Sequence, residues 1–568
     1  MQLVVPMAGF GERFRRAGFD RPKPLVQIEG RPMIAWVLEL FPGVDDPLCL
    51  VNADHLAHAD WGLEAAIRAV RPAARVVPVP AHRRGPVHTL ALGLDHVDPD
   101  DDVLVSVCDL AFPWDLAHFR RWVAAARADA AVVVYRGFHP HFLRSTHYGF
   151  LREEGRWAVE IREKHVFTDD PIGQREPCSN GVYWWRSGAL LARTVRAVDG
   201  DPGLAIAGEH YPAQAIGVLV DEGRDVAVYD TTHYLQWGNP EDLGEERAAA
   251  RAFADRLSPP PRGPDLDATL LLPLAGLGQR FADAGYALPK PLLEVDGRPM
   301  VVSSARGLPP CARQVFVLRQ DQPGLEALQT ALRSAWPQGR QVVLPGATDG
   351  QARTVVTGLD EAGVPDDEPV IVGVCDTGLQ VDGEAHAALL GEADVLVWTM
   401  HGHPGALARP EHYGWVDASD GRVRGVSVKV PLADPATDPA IVGVFSFRRA
   451  GDLRRAFAAL LARDGRVRGE LYLDSLVTDA LALGLDVRVM PVRRYFGWGT
   501  PDDLRTYTYW QGFFHHWPHH PYRLQDDPAV APEAVARLAA ASAFDPPAPL
   551  PPRGSHGAQG IGGVPEEP

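Results

Sequence analysis

Residues 7–25 read MAGFGERFRRAGFDRPKPL and residues 274–292 read LAGLGQRFADAGYALPKPL, identical at eleven of nineteen positions. Glycines in G-x-G let backbone N–H groups approach a ligand closely and shape a concave nest for an anion. Arg13 and Arg280 stand two residues after the second glycine, and Lys23 and Lys290 stand between two prolines ten residues later. The prolines fix φ and restrict the residue before them, so each lysine is held on one extended backbone. A rigid cation beside an anion nest suits the neutralisation of charge on a transferring phosphoryl group. Taken once, Pro-Lys-Pro reads equally well as a loop with a solvated lysine. The same parts at the same spacing twice favour chemistry. The segment lacks the third glycine of G-x-G-x-x-G and the Gly-Lys-Ser/Thr ending of a P-loop.

Other candidate groups follow in both halves. Asp109 and Asp376 end the apolar runs VLVSVCD and VIVGVCD. One carboxylate there suits Mg²⁺, which takes one or two carboxylates and completes its shell with phosphate and water. A lone strand-ending Asp would more often cap a turn. The duplicate reverses that preference. Asp242 and Asp503 follow Pro at helix starts and read as structural. FFHHWPHHPY (513–522) offers four histidines without an accompanying acid, and a packed or surface aromatic segment is the better reading than a metal site.

The repetition runs through the chain: GPVHTLALGLD (85–95) with GQARTVVTGLD (350–360), HYGF (147–150) with HYGW (412–415), and Lys164 with Lys429. It continues with GVYWW (181–185) and GVFSF (443–447), GEHY (208–211) and GELY (469–472), then WGNPEDL (237–243) and WGTPDDL (498–504). The offset drifts only from 267 to 261 residues, so two homologous domains are fused in tandem. The expected boundaries are 1–256, a proline-rich linker 257–268, 269–524, and a disordered tail 525–568, richest in Pro and Gly from 544 on.

These groups must be positioned by alternating elements. QLVVPM, LCLVNA, ARVVPV, DVLVSVCD and AAVVVYRG read as buried strands, with helical patterns at PMIAWVLELF, GPVHTLALGLDHV and LAHFRRWVAAARA between them. That alternation predicts an α/β domain with a mixed, mainly parallel sheet and ligands at the carboxyl ends of its strands. A formal charge of −17 argues against nucleic acid or an anionic membrane as partner. Five scattered cysteines without C-x-x-C suit a reducing compartment. No apolar run approaches a membrane span, and MQLVVPMAG reads as a first strand rather than a signal peptide, so the cytoplasm is the default location.

G-x-G-x-R-F followed by P-K-P-L after a first strand resembles the sugar-phosphate nucleotidyltransferases, the pyrophosphorylases that make nucleoside-diphosphate sugars. H-Y-G, the downstream lysine, G-x-Y/F, G-E-x-Y and W-G-T-P-x-D-L are similar to a branch found in capsule and lipopolysaccharide gene clusters. The likeness covers about 1–250 and 268–510 and implies two tandem Rossmann-like, GT-A-like domains. It also implies transfer from a nucleoside triphosphate to a sugar phosphate or similar acceptor, with Mg²⁺ as cofactor.

Position by position, it implies that Ala8, Gly9, Gly11 and Arg13 cradle the triphosphate, as do Ala275, Gly276, Gly278 and Arg280. Lys23 and Lys290 would neutralise the phosphate under attack, and Asp109 and Asp376 would hold the metal. Gly85 and Thr89, with Gly350, Gln351 and Thr354, fall where the base is recognised, although Pro86 replaces the glutamine in the first domain. Lys164 and Lys429 would hold the acceptor phosphate; Glu163 precedes the first as in the family, whereas Val428 precedes the second. Glu209 and Glu470 would touch acceptor hydroxyls or serve as structural carboxylates. Gln236 and Gly497 stand near the place of a second metal aspartate. Two readings of the duplication stay open: two active sites, or a decayed copy that binds without turnover, with the domains packed as a pseudo-dimer.

Overall fold

A computed structural model describes residues 1–550. The chain divides into two compact units, Met1–Arg247 with the residues from Ser542 on, and Ala248–Ala541; the division falls inside the helix Pro240–Asp255.

The β-branched runs of the first unit become strands β1 (Gln2–Met7), β2 (Leu48–Asn52), β3 (Arg75–Val79), β4 (Val103–Ser106) and β5 (Ala130–Tyr135). β6 (Gly149–Glu154), β7 (Trp157–Glu163), β8 (Cys178–Trp185) and β9 (Val226–Thr231) complete one nine-stranded sheet in the order β3-β2-β1-β4-β8-β5-β9-β7-β6. β3, β2, β1 and β4 run parallel, as do β5 and β9. β8 is antiparallel to β4 and β5, and the β6–β7 hairpin closes the far edge. Polar caps set the helix starts between them: Asp115 accepts from His118 N at 2.9 Å and Ser187 from Leu190 N at 3.2 Å. The strand ARVVPV is an edge and only half-buried, unlike its neighbours, because it has a partner on one side alone.

The second unit repeats this architecture with β10 (Leu266–Pro273), β11 (Cys311–Arg319), β12 (Arg340–Leu344), β13 (Val370–Val372) and β14 (Val395–Met400). β15 (Gly414–Ser419), β16 (Arg422–Val428), β17 (Ala440–Phe447) and β18 (Val487–Pro491) follow, in the order β12-β11-β10-β13-β17-β14-β18-β16-β15. Every strand thus occupies the place of its counterpart nine earlier. The helix Pro501–His516 buries Tyr507, Trp510, Phe513 and Phe514.

The histidine-rich stretch finishes that helix and packs as expected of an aromatic segment, with His520 Nε2 bonded to the Ala250 carbonyl at 3.0 Å and its ring tilted against Phe514. Among the described residues no group of three or more His, Cys, Asp and Glu is gathered to hold a metal. Residues 525–541, expected to be disordered, instead form short helical turns and the helix Val535–Ala541. The reason is a buried charge network: Arg256 donates to Asp527 at 2.5 Å, Asp296 at 2.8 Å and Tyr507 at 2.6 Å. Tyr522 donates to the same Asp527 oxygen and Gln511 to the other Asp296 oxygen, so the chain around Asp527 is tied to the core by a partner that composition alone does not reveal. Residues 543–550 of that expected tail form no helix or strand, and residues 551–568 lie outside the described residues.

Candidate active site

The duplicated motif opens each site at the carboxyl end of the first strand. Gly11 and Gly278 adopt the left-handed conformation, φ +62° and +63°, at the start of the helices Glu12–Arg16 and Gln279–Asp283. A Cβ on Gly11 would lie 3.3 Å from Lys23 Cβ, and one on Gly278 would lie 3.4 Å from Lys290 Cβ. The glycines therefore let the Pro-Lys-Pro segment close over the turn. Pro22 (φ −60°, ψ 149°) and Pro289 (φ −64°, ψ 147°) precede a short helical turn that each lysine begins.

Each lysine then points to the aspartate. Lys23 Nζ pairs with Asp109 Oδ2 and donates to the Gly238 carbonyl at 3.2 Å; Lys290 Nζ pairs with Asp376 Oδ2 and donates to the Gly499 carbonyl at 3.1 Å. Burial works against the charge on Lys290, but Asp376 and Cys375 together outweigh it and raise the amine above its ordinary value. The aspartates lie three and four residues beyond the ends of β4 and β13, in the turn before a short strand, rather than at the strand ends themselves. Their carbonyls accept from Trp237 N and Trp498 N, both at 2.8 Å, which draws the late W-G-x-P motif to the early lysine. Ala8 and Ala275 are buried beside these turns, while Arg13 and Arg280 are exposed.

Asp242 and Asp503 take the structural places expected of them. Asp242 accepts from Arg144 and Asn239, both at 2.7 Å, and Asp503 forms a capping box with Thr500. Asp503 also lies close to the metal candidate: a Cβ on Gly499 would have Asp376 Oδ2 at 3.5 Å and Asp503 Oδ2 at 3.7 Å.

Gly85 and Gly350 start the helices Pro86–Gly93 and Gln351–Glu361, so Pro86 and Gln351 both occupy a first helical position that needs no N–H partner. Both glycines also serve packing. A Cβ on Gly85 would meet His210 O at 2.5 Å and His210 N at 2.7 Å, and one on Gly350 would collide with the backbone of Leu471. Val87 N donates to His210 O, and Ala352 N donates to Leu471 O. Thr89 and Thr354 are buried, one bonded to His82 Nε2 at 2.9 Å and the other to Thr348 at 2.6 Å.

Those backbone contacts fasten the far end of the site. Lys164 and Lys429 follow β7 and β16 directly, and both hold φ in the left-handed region, +56° and +61°. A lysine rarely adopts that conformation, so its recurrence marks a strained backbone held by its surroundings. Lys164 Nζ donates to Tyr211 OH at 2.5 Å, and that hydroxyl donates to Glu209. Lys429 Nζ donates to the His412 carbonyl, beside the Tyr472 ring. Glu209 is half-buried and Glu470 is exposed, so neither is a buried structural acid. In the first unit Arg13, Lys23, Asp109, Lys164 and Glu209 all line one cleft of about 890 Å³, together with Gly9, Gly11, Gly85 and Thr89.

The profile of the MobA-like NTP transferase domain matches this chain twice, over residues 3–171 and 272–437. The chain belongs to the MobA-like NTP transferase family. Among relatives of this NTP transferase, the UTP–glucose-1-phosphate uridylyltransferase AglF of Haloferax volcanii is 31% identical over 263 residues, 43% of this chain and 94% of that protein. Similar solved structures include a nucleoside-diphosphate-sugar pyrophosphorylase from Vibrio cholerae RC9, 21% identical, covering 42% of this chain and 98% of that one with a TM-score of 0.36. An inositol-1-phosphate CTP transferase from T. maritima is 16% identical over 44% of this chain and 96% of that one, with a TM-score of 0.33. Among the described residues, no helix of the NTP transferase is long and apolar enough to cross a membrane.

The NTP transferase also places in its first cleft residues that sequence reasoning passed over. Ser179 and Asn180 line it from β8, and the buried Asn180 Nδ2 has no hydrogen-bond partner. The corresponding residues of the second domain are Ile441 and Val442. A polar pair in an otherwise apolar strand, just before the duplicated G-V-Y/F, was the available signal.

Proposed function

We propose that each domain transfers a nucleotidyl group from a nucleoside triphosphate to a sugar phosphate. The observation that carries this reading is the Lys–Asp pair, gathered at one point by three distant motifs and built identically twice. A second lysine stands at the other end of the first cleft. An acceptor phosphate oxygen attacks the α-phosphorus, the bond to the bridging oxygen breaks, and pyrophosphate leaves with that electron pair. The acceptor is already anionic at neutral pH, so no protein nucleophile is required.

Lys164 and Lys429 hold the acceptor phosphate, while Gly9, Gly11 and Arg13, with Gly276, Gly278 and Arg280, receive the triphosphate. Lys23 and Lys290 neutralise charge on the phosphate under attack. Asp109 and Asp376 offer hard carboxylate oxygens beside that point, a donor set that fits Mg²⁺. When bound there, Mg²⁺ supplies charge neutralisation to the phosphates. The likeness to AglF supports a hexose 1-phosphate as acceptor. The resemblance of the late motifs supports use of the product in surface-polysaccharide synthesis, on the cytoplasmic side where nucleoside triphosphates are found.

The test is pyrophosphate release with Mg²⁺ across UTP, CTP and dTTP paired with sugar phosphates. Lys23→Ala and Lys290→Ala each lower the turnover of their own domain by about 100-fold or more, and the double variant loses all transfer. Nucleotide binding without pyrophosphate release from any pair would reject the reading in favour of a binding module.

A further inference from the structure

A break in the acceptor-end pattern is Val428, which stands where the first domain has Glu163. In the first domain, Glu163 at the end of β7 is turned inward beside Gly149. A Cβ on that glycine would lie 3.1 Å from Glu163 Oε2 and 3.2 Å from Ala213 Cβ. Ala213 is the second residue of the helix Pro212–Asp221, which Tyr211 precedes. In the second domain the corresponding glycine is Gly414, the corresponding tyrosine is Tyr472, and the second residue of the helix Leu473–Ala482 is Asp474. A Cβ on Gly414 would collide with Asp474 Oδ2. The carboxylate is therefore present in both domains, in the space left by the same glycine. It arrives from the strand in one and from the helix in the other.

We propose that Asp474 is the positioning residue for Lys429, doing from the helix start what Glu163 does for Lys164 from the strand end. An acid in a first helical turn is often there only for the helix dipole. Asp474 differs in being turned into the protein against Gly414, and burial raises its carboxyl while the charge of Lys429 opposes the rise. Burial lowers the Lys429 amine, as do Arg280 and Arg468, and Asp474 acts against them. Glu163 stands in the same relation to Lys164, with burial bringing its carboxyl to about 7 against the pull of the lysine. A buried carboxylate at this point keeps the amine charged and in place for an acceptor phosphate. The exchange of positions means that neither acceptor end has lost the carboxylate beside its glycine, which argues for two working sites.

This inference rests on the nucleotidyl-transfer reading, and carboxylate transplants separate the two. The second domain is assayed in the Lys23→Ala background and the first in the Lys290→Ala background, with UTP and glucose 1-phosphate as probes. Asp474→Asn and Asp474→Ala each raise the acceptor KM about tenfold or more and leave the nucleotide KM within about twofold. Val428→Glu added to Asp474→Ala restores the acceptor KM, which a helix-dipole role does not allow. Glu163→Val weakens the first domain in the same way, and adding Ala213→Asp restores it. Unchanged acceptor KM in the single variants, or failed restoration at wild-type melting temperature, overturns the proposal. If neither unsubstituted domain transfers, the function proposed above falls instead. The same variants are then compared for glucose 1-phosphate binding by calorimetry, where the loss and restoration must still appear.

Discussion

Glu246 shows how one side chain can tie stability to pH. It lies in the helix Pro240–Asp255, 3% exposed, and its Oε2 has no hydrogen-bond partner. Burial, reinforced by Glu29, raises its carboxyl from 4.5 to about 8. Between those values the folded chain holds a proton that the unfolded chain has released, so stability falls as pH rises through this window. The penalty is complete above about pH 8 and absent below the unfolded value. Glu246→Gln therefore stabilises the protein by about 1–3 kcal/mol at about pH 8.5, with a smaller gain near pH 5. Thermal melts of both proteins at the two pH values check the sign.

At the scale of elements, the opening residues of two helices join the Gly85 and Gly350 turns to the segments that carry Glu209 and Glu470. Gly85 starts one helix at φ +86° and touches the backbone of His210, which lies between Glu209 and Tyr211. Gly85→Ala must both strain the backbone and push that segment away. We expect a loss of about 2–5 kcal/mol in chemical denaturation, with a higher acceptor KM in whatever remains folded. A glycine needed only for approach to the base would raise the nucleotide KM alone. The Arg256 network works at the same scale: one guanidinium holds two aspartates that arrive from residues 296 and 527. Breaking such a buried set leaves an uncompensated buried charge, which is why residues 525–541 are held in place.

Over the whole molecule, duplication has kept the Lys–Asp pair and varied the lining. The Lys–Asp pair, the strained lysine and its carboxylate occur in both units, whereas Ser179 and Asn180 of the first give way to Ile441 and Val442 in the second. Buried polar groups discriminate strongly among acceptors because an unmatched one is left unpaired. With Lys290→Ala silencing the second domain, the remaining site should favour a hydroxyl-rich hexose 1-phosphate over a deoxy analogue. With Lys23→Ala the preference should shrink by about tenfold or more. A competition assay reading the two products checks this.

The sequence alone determined the duplication, the alternation that makes an α/β sheet, and the residues of the Lys–Asp pair. Each depends on local spacing or on order along the chain. It also marked Asp242 and Asp503 as helix-start acids, because capping is local. Only the tertiary structure decided how Asp109 and Trp237 come together, why Gly85 must be glycine, and where the segment after 524 is anchored. It alone revealed that Asp474 stands in for Glu163, since a carboxylate reaching one point from two different elements leaves no common position in the sequence. Spacing records contacts within an element; those between elements depend on how the sheet and its helices pack.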